Sequence, residues 1–251
     1  MAAVRMSAAA LAVVVTCTTL LAQAPQPSSS QHGRLFPPQD LGLLEAPDRD
    51  EWQRPHQILD ALGVADASVV ADVGAGSGWF TVRLARRVGP NGTVYAQDVQ
   101  QEMLAATTRR VRREGLANVI PVLGRGSDPG LPAGALDAVL VVDVLHEIED
   151  RVTLLANLGR AMKPGGLIGI VDFKPGGAGP GPGADERVPP DEVELAAARA
   201  GLVLKRRETF LPFQYFLVFG RQDTSATPLE RGPSGATRGA APARPGPPAA
   251  P

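Results

Sequence analysis

Among 251 residues there is one cysteine, Cys17, and it sits within an apolar N-terminal stretch. Once that stretch is removed, the chain keeps no disulfide, no thiolate nucleophile and no cysteine-based metal site; no metal is expected. Aromatic residues are scarce at 4%, and the formal net charge is only -1. A balance this close to neutral excludes a general attraction to nucleic acid or to an anionic membrane. The run from Ala8 to Ala22 is short for a membrane span, which needs about 20 apolar residues.

What the N-terminus does contain is an export pattern. Arg5 precedes the Ala8 to Ala22 stretch, and Ala22-Gln23-Ala24 has the small residues that signal peptidase reads. Residues 1–24 are therefore expected to be a signal peptide cleaved after Ala24, giving a periplasmic or secreted protein; the alternative is an uncleaved membrane anchor. Val15-Thr16 lacks the small residue expected before a lipidated cysteine at Cys17. Residues 25–50 read as a linker, because Gln26 to Gln39 is rich in Pro, Ser and Gln. At the other end, residues 222–251 alternate Ala, Pro, Gly, Ser and Arg without a hydrophobic period, the composition of a disordered tail. Arg231, Arg238 and Arg244 in that tail fit a solvated linker. One domain remains, over residues 51–221.

Within it, short β-branched runs alternate with helical spacing. A helix is predicted from Trp52 to Leu62, strands at Ser68–Val73 and Thr93–Gln97, helices at Gly78–Val88 and Gln101–Glu114, and a third strand at Val119–Leu123. Gly124 to Gly134 has too many Gly and Pro for a crossover helix and should loop over the sheet edge. Ala138–Val144 is a nearly continuous apolar run, as in a strand covered on both faces. A helix at Arg151–Met162 is expected to stop at Lys163-Pro164-Gly165-Gly166, with a strand at Leu167–Phe173, a helix at Pro190–Ala200 and strands at Val203–Thr209 and Phe213–Phe219. The last two strands are joined by too few residues for a parallel crossover, so they should pair antiparallel. This is a doubly wound α/β sheet with helices on both faces.

The most informative stretch is Asp72-Val73-Gly74-Ala75-Gly76-Ser77-Gly78, at a strand-to-helix turn. Gly74 and Gly76 let the backbone turn tightly and approach a ligand, and Gly78 lets the helix pack close to the strand. The spacing is G-x-G-x-G, not the G-x-G-x-x-G of dinucleotide folds. A pyrophosphate prefers helix amides without a neighbouring carboxylate, so Asp72 fits a cationic ligand better. Asp98 closes the second strand, followed by Val99, and its two acceptor oxygens suit a pair of ribose hydroxyls. Ser127 and Asp128 follow the third strand, where an acid could reach an adenine amino group or simply form an Asp-Pro turn.

These residues resemble the class I S-adenosylmethionine-dependent methyltransferases. The resemblance runs from about Trp52 to Arg221 and rests on Asp72 to Gly78, Asp98, the segment Leu136 to Glu147, and Lys163 to Gly166. It implies a mostly parallel seven-stranded sheet with an antiparallel last strand, and S-adenosyl-L-methionine as cofactor. It also implies that Asp72 helps hold the methionine moiety, that the loop Gly74, Ala75, Gly76, Ser77, Gly78 underlies the cofactor, and that Asp98 binds the ribose. Asp143 would lie at the cofactor edge.

A sulfonium methyl is already activated, so the protein has to align the acceptor and exclude water. His146 and Glu147, just beyond the fourth strand, are the candidate base pair for a small-molecule acceptor; a helix-capping role is the alternative. His56 could line a lid or lie on the surface. The acceptor pocket is expected between the first helix, the His146 loop and the loop from Gly176 to Arg187. Two other functions stay open from the residues: a non-catalytic cofactor-binding module, and a nicotinamide oxidoreductase, against which the glycine spacing and Asp72 argue.

Overall fold

A computed structural model of the chain describes residues 35–177 and 179–222. The export signal of residues 1–24 and the Pro/Gly/Ala-rich tail after residue 222 lie outside the described residues. Seven strands form one sheet: β1 (Val69–Val73), β2 (Thr93–Asp98), β3 (Val119–Leu123), β4 (Leu136–Val142), β5 (Met162–Phe173), β6 (Leu202–Glu208) and β7 (Gln214–Arg221). Their order is β3-β2-β1-β4-β5-β7-β6. Strand β7 runs antiparallel to both of its neighbours and every other pair is parallel. β1 is thus flanked by β2 on one side and β4 on the other, the switch point where ligands bind in such sheets.

Six α-helices accompany the strands: α1 (Arg49–Gln53), α2 (Pro55–Ala61), α3 (Trp79–Val88), α4 (Gln101–Arg113), α5 (Arg151–Ala161) and α6 (Pro190–Arg199). The two-residue period of the strands sorts their side chains into two cores. Ala71, Val73, Val139, Val141, Ile168 and Ile170 pack with Leu154, Leu155 and Leu158 of α5 and Val193 of α6. Val70, Leu140, Val171, Phe216 and Val218 pack with Ile58 and Leu59 of α2 and Phe80 and Leu84 of α3. Each fully buried Leu or Ile contributes about 1.5–3 kcal/mol. Parity also places the polar residues: Asp72 shares the α3 face with Val70, whereas Asp172 shares the α5 face with Ile170.

Three expectations are corrected. The helix predicted from Trp52 to Leu62 is two helices, because Pro55 cannot continue a preceding helix; Arg54 turns into the left-handed region at φ 46°, and Pro55 then starts α2. Lys163-Pro164-Gly165-Gly166 does not separate α5 from β5 but lies inside β5, whose pairing with β4 jumps from Leu136↔Met162 to Ala138↔Leu167. The extra residues loop out as a bulge, held where Lys163 Nζ donates to both Asp137 oxygens at 2.8 Å. Residues 38–45, read as linker, form a 3-10 helix, Pro38–Glu45. It is anchored where the Gln100 side chain donates to the Phe36 carbonyl at 3.0 Å and where Arg110 pairs with Glu45 at 2.6 Å. The expected loop between β3 and β4 does lack a helix, and β6 and β7 do pair antiparallel.

Candidate functional site

The glycine loop joins β1 to α3 through three left-handed residues, Gly74, Gly76 and Gly78, at φ 73°, 53° and 79°. The amides of Gly74 and Ala75 both donate to the Gln97 carbonyl of β2 at 2.9 Å, which bends the loop toward β2. A Cβ at Gly74 would lie 2.2 Å from Val144 Cγ2, so the chain after β4 packs directly on the bare loop. A Cβ at Gly78 would lie 3.0 Å from Thr107 Cγ2 of α4, and Thr107 Oγ1 donates to the Gly76 carbonyl at 2.9 Å. Ser77 is buried and receives a long 3.4 Å hydrogen bond from Arg110.

Asp72 is buried at the end of β1 and accepts a hydrogen bond from Thr81 Oγ1 of α3 at 2.5 Å. Burial pushes its carboxyl up to about 6 despite that bond. Asp98 is also buried; one carboxylate oxygen accepts from the Gly76 amide and the other from the Gln100 amide, both at 3.0 Å. Burial raises its pKa, while those amides and the amide of Val99 oppose the rise. Each oxygen keeps a second lone pair for a donor from a ligand. Asp98→Ala is therefore expected to weaken cofactor binding by about 1.5–3 kcal/mol and to loosen the Gly76 turn; calorimetric titration giving unchanged affinity would remove Asp98 from the site.

Across the switch point, Asp143 follows β4 with φ 57°, a strained value for a side chain larger than glycine. Its carboxylate accepts from Gln214 at 2.5 Å and from Gln53 at 3.3 Å, and Gln53 also donates to Gln214 at 3.1 Å. Burial and then the nearby Asp172 hold its pKa well above the usual carboxylate range. His146 and Glu147 lie on a 3-10 turn, Leu145–Glu147. His146 Nδ1 stands 3.2 and 3.3 Å from the two oxygens of Asp172, which is fully buried at the end of β5. Burial lowers the imidazole pKa, but the hydrogen bond and charge of Asp172, with Glu147 and Asp143, outweigh it and raise the value. Glu147, 3.9 Å from His146 Nε2, is pushed by burial up to about 7.

Asp172 was not among the residues singled out from the sequence; a lone acid ending the apolar run of β5 was the available signal. Its cross-strand partner on β7 is Tyr215. The Tyr215 hydroxyl and Arg151 Nη2 are the two buried side-chain polar atoms without a partner among the described residues.

Other predicted residues fall elsewhere. Asp128 is exposed and its carboxylate accepts from the Gly130 amide at 3.0 Å, the Asp-Pro turn arrangement, while the Ser127 carbonyl accepts from Asn157. His56 is exposed on α2. Of the three segments expected around the acceptor, two converge on Phe173 at the end of β5: the Trp52 ring of the first helix lies 6.2 Å from it, and 6.1 Å from Phe213, while Arg187 reaches it from the Gly/Pro loop. Arg187 stacks 5.4 Å from the Phe173 ring and donates to the carbonyls of Lys174, Gly177 and Pro182, stapling the Gly/Pro loop over these aromatics.

The glycine loop at the switch of a 3-2-1-4-5-7-6 sheet, with acids ending β1 and β2, is the arrangement of a Rossmann-like methyltransferase fold. Residues 70–166 match the family described as a methyltransferase domain. The nocamycin O-methyltransferase of Saccharothrix syringae is 34% identical over 122 residues, 48% of this chain and 44% of that protein. The demethylmenaquinone methyltransferase of Geobacillus stearothermophilus is 30% identical over 117 residues, 47% of this chain and 49% of that protein. The chain thus spans about half the length of these curated relatives. A crystal structure of a SAM-dependent methyltransferase from Aquifex aeolicus superposes with TM-score 0.71 at 29% identity, covering 74% of this chain and 98% of that one. The cyclase SpnF shares the fold at 16% identity and TM-score 0.58, covering 67% of this chain and 80% of its own.

Proposed function

We propose that this chain transfers a methyl group from S-adenosylmethionine to a small-molecule acceptor. The observation that carries the reading is an unbalanced ring of acids at the carboxyl ends of the strands. Asp72, Asp98, Asp143 and Glu147 all have raised pKa values, chiefly from burial, and Arg49 is the one buried guanidinium among them. Such a ring is completed by a ligand with positive charges and hydroxyls and without phosphate. S-adenosylmethionine meets that description, with its sulfonium, its ammonium and its ribose.

When bound, the cofactor supplies a methyl group on a cationic sulfur, so displacement needs no enzyme nucleophile. The glycine loop and Asp98 would hold the nucleoside end, and Asp72 would serve the amino-acid end. With Nδ1–H donating to Asp172, His146 keeps a free lone pair on Nε2 and can take a proton from an acceptor hydroxyl or ammonium. Trp52, Phe173 and Phe213, clustered where β5 ends just past Asp172, are the apolar surface offered for covering the acceptor and excluding water.

The raised acids set a pH dependence. Their protonated forms are favoured in the folded state, so they stabilise the unliganded protein below the ordinary carboxylate pKa near 4. That contribution is lost as pH rises through about 6 for Asp72 and about 7 for Glu147. A cationic cofactor should then bind roughly tenfold tighter or more at pH 8 than at pH 5. Calorimetry across that range checks it, and affinity that falls with pH argues against the acidic ring as the cation site. Turnover on a pool of small hydroxylated and amino acceptors then separates methyl transfer from cofactor binding alone, since the fold by itself does not specify a reaction.

We also propose that the protein acts after export, with the first 24 residues removed, on the strength of Arg5, the apolar run and Ala22-Gln23-Ala24. Mass spectrometry of the mature N-terminus tests this; a chain retaining residues 1–24 points to an anchor.

A further inference from the structure

The rim of the sheet at β3 combines exposed apolar side chains with arginines. Ile120 and Leu123 are 45% and 47% exposed. Leu123 and Pro121 share a groove with Arg109 and Arg112 of α4. Arg113 lies on the same helix face as Arg109, because residues four apart are neighbours there. Arg125, also exposed, follows two residues after Leu123. Among the described residues none of these guanidiniums has an ion pair or a hydrogen bond, and the nearby Glu114 and Glu45 are taken by Arg86 and Arg110. The other acids at hand are Glu102, about two turns from Arg109 at the start of α4, and Asp128, whose carboxylate accepts from the Gly130 amide. The rim is therefore positive although the whole chain has a formal net charge of -1.

The geometry of the rim selects among anionic partners. Strand alternation sends Ile120 to the face opposite Leu123, where the segment between β3 and β4 supplies no helix. A rigid partner seated in the groove would enclose Leu123 and leave Ile120 in water. A pairing strand is also a poor fit. The Val94 amide donates to the Asn118 carbonyl and the Gly124 amide to the Asp98 carbonyl, so the even-numbered residues of β3 turn their backbone groups to β2. Val119, Pro121 and Leu123 turn theirs outward, and Pro121 has no N–H to give. A lipid headgroup layer is fluid, so it accepts apolar side chains from both faces of a rim while arginines reach its phosphates. We propose that the β3 rim docks on an anionic lipid surface. The near-neutral total excludes a general attraction to such a surface, but not one confined to this edge. Leu123 pairs in register with Asp98, so docking sets the acid that ends β2 one strand away from the lipid. It requires nothing of the cofactor or the acceptor.

The test is amide hydrogen exchange of the full chain, alone, with phosphatidylcholine vesicles, and with vesicles that also contain phosphatidylglycerol. The outward amides of Val119 and Leu123 read the rim directly, so an N-terminal segment that held the chain to both kinds of vesicle would not disguise the result. Their exchange should slow severalfold on the anionic vesicles alone, and the slowing should disappear as salt is raised. An arginine near such a surface is worth about fivefold in binding, so Arg109→Glu combined with Arg112→Glu should weaken co-sedimentation with anionic vesicles by about 25-fold or more. Ile120→Ser combined with Leu123→Ser should weaken it severalfold and leave the salt dependence in place. Exchange at the rim that is the same with and without anionic vesicles overturns the proposal, as does equal slowing on both kinds. Slowing by a polyglutamate peptide but not by anionic vesicles also overturns it, and gives the rim to an acidic protein instead. Should the charge-reversed variant fail to fold by circular dichroism, the salt series on the wild type decides, because slowing that survives high salt is not electrostatic docking. The cofactor reading stands in every case.

Discussion

Replacing His146 with alanine is expected to lower turnover by about 10²–10⁴-fold while leaving cofactor affinity within about twofold, the range of a lost general base. Among the described residues the hydrogen-bonding and charged partners of the imidazole are Asp172 and Glu147, not the acids and amides of the glycine loop. Asp172→Asn gives the finer readout, because an amide can still hydrogen-bond Nδ1 but supplies no charge. The Asp172 carboxylate contributes most to raising the His146 pKa against burial. A base must be neutral to accept a proton, so the rate should climb as pH rises through that raised pKa. In Asp172→Asn the climb should move to lower pH and the plateau should fall. A purely structural role for Asp172 would reduce the plateau and leave the climb where it is. Normal turnover in His146→Ala would remove the dyad from the mechanism.

Gly74→Ala should damage both binding and stability. The added Cβ would stand 2.2 Å from Val144 Cγ2 with the backbone at φ 73°, so it costs about 1–2 kcal/mol of backbone strain and about 1–3 kcal/mol of overpacking. A loss of roughly 2–5 kcal/mol lowers the melting temperature by roughly 5–15 °C for a domain of this size. Val144 lies between Asp143 and the His146 turn, so its displacement also disturbs the acceptor side. Gly115→Ala is the control: its φ is 68° and nothing lies within 4 Å of an added Cβ, so it bears the strain alone. Thermal melts and cofactor titrations of the two variants separate strain from collision. Equal effects would mean that Val144 yields freely and that the bare loop is not required.

The strand-helix repeat was readable because apolar runs of β-branched residues have a short range and a plain period. Val119–Leu123 appears in the structure with the predicted bounds, and the other strands differ mainly at their ends. Lys163 to Gly166 misled for a local reason: Pro and Gly signal a turn, and the turn is real, yet cross-strand bonding to Leu136 and Ala138 absorbs it as a bulge. The strap at residues 38–53 was illegible because its order comes from distant partners. Gln100, Arg110, Trp79 and Asp143 lie far along the chain, and no period in Pro38–Glu45 announces them.

The sequence by itself determined the sheet, the glycine turn and the acids ending β1 and β2, since each depends on neighbours within a few residues. Only the tertiary structure decided which groups face one another across the switch point: His146 with Asp172, Asp143 with Gln53 and Gln214, Arg49 on Trp79. Strand order and face parity set those pairings, and the raised pKa values follow from the burial that the packed sheet imposes. Long-range contact and desolvation are properties of the folded chain, and no local stretch of residues encodes them alone.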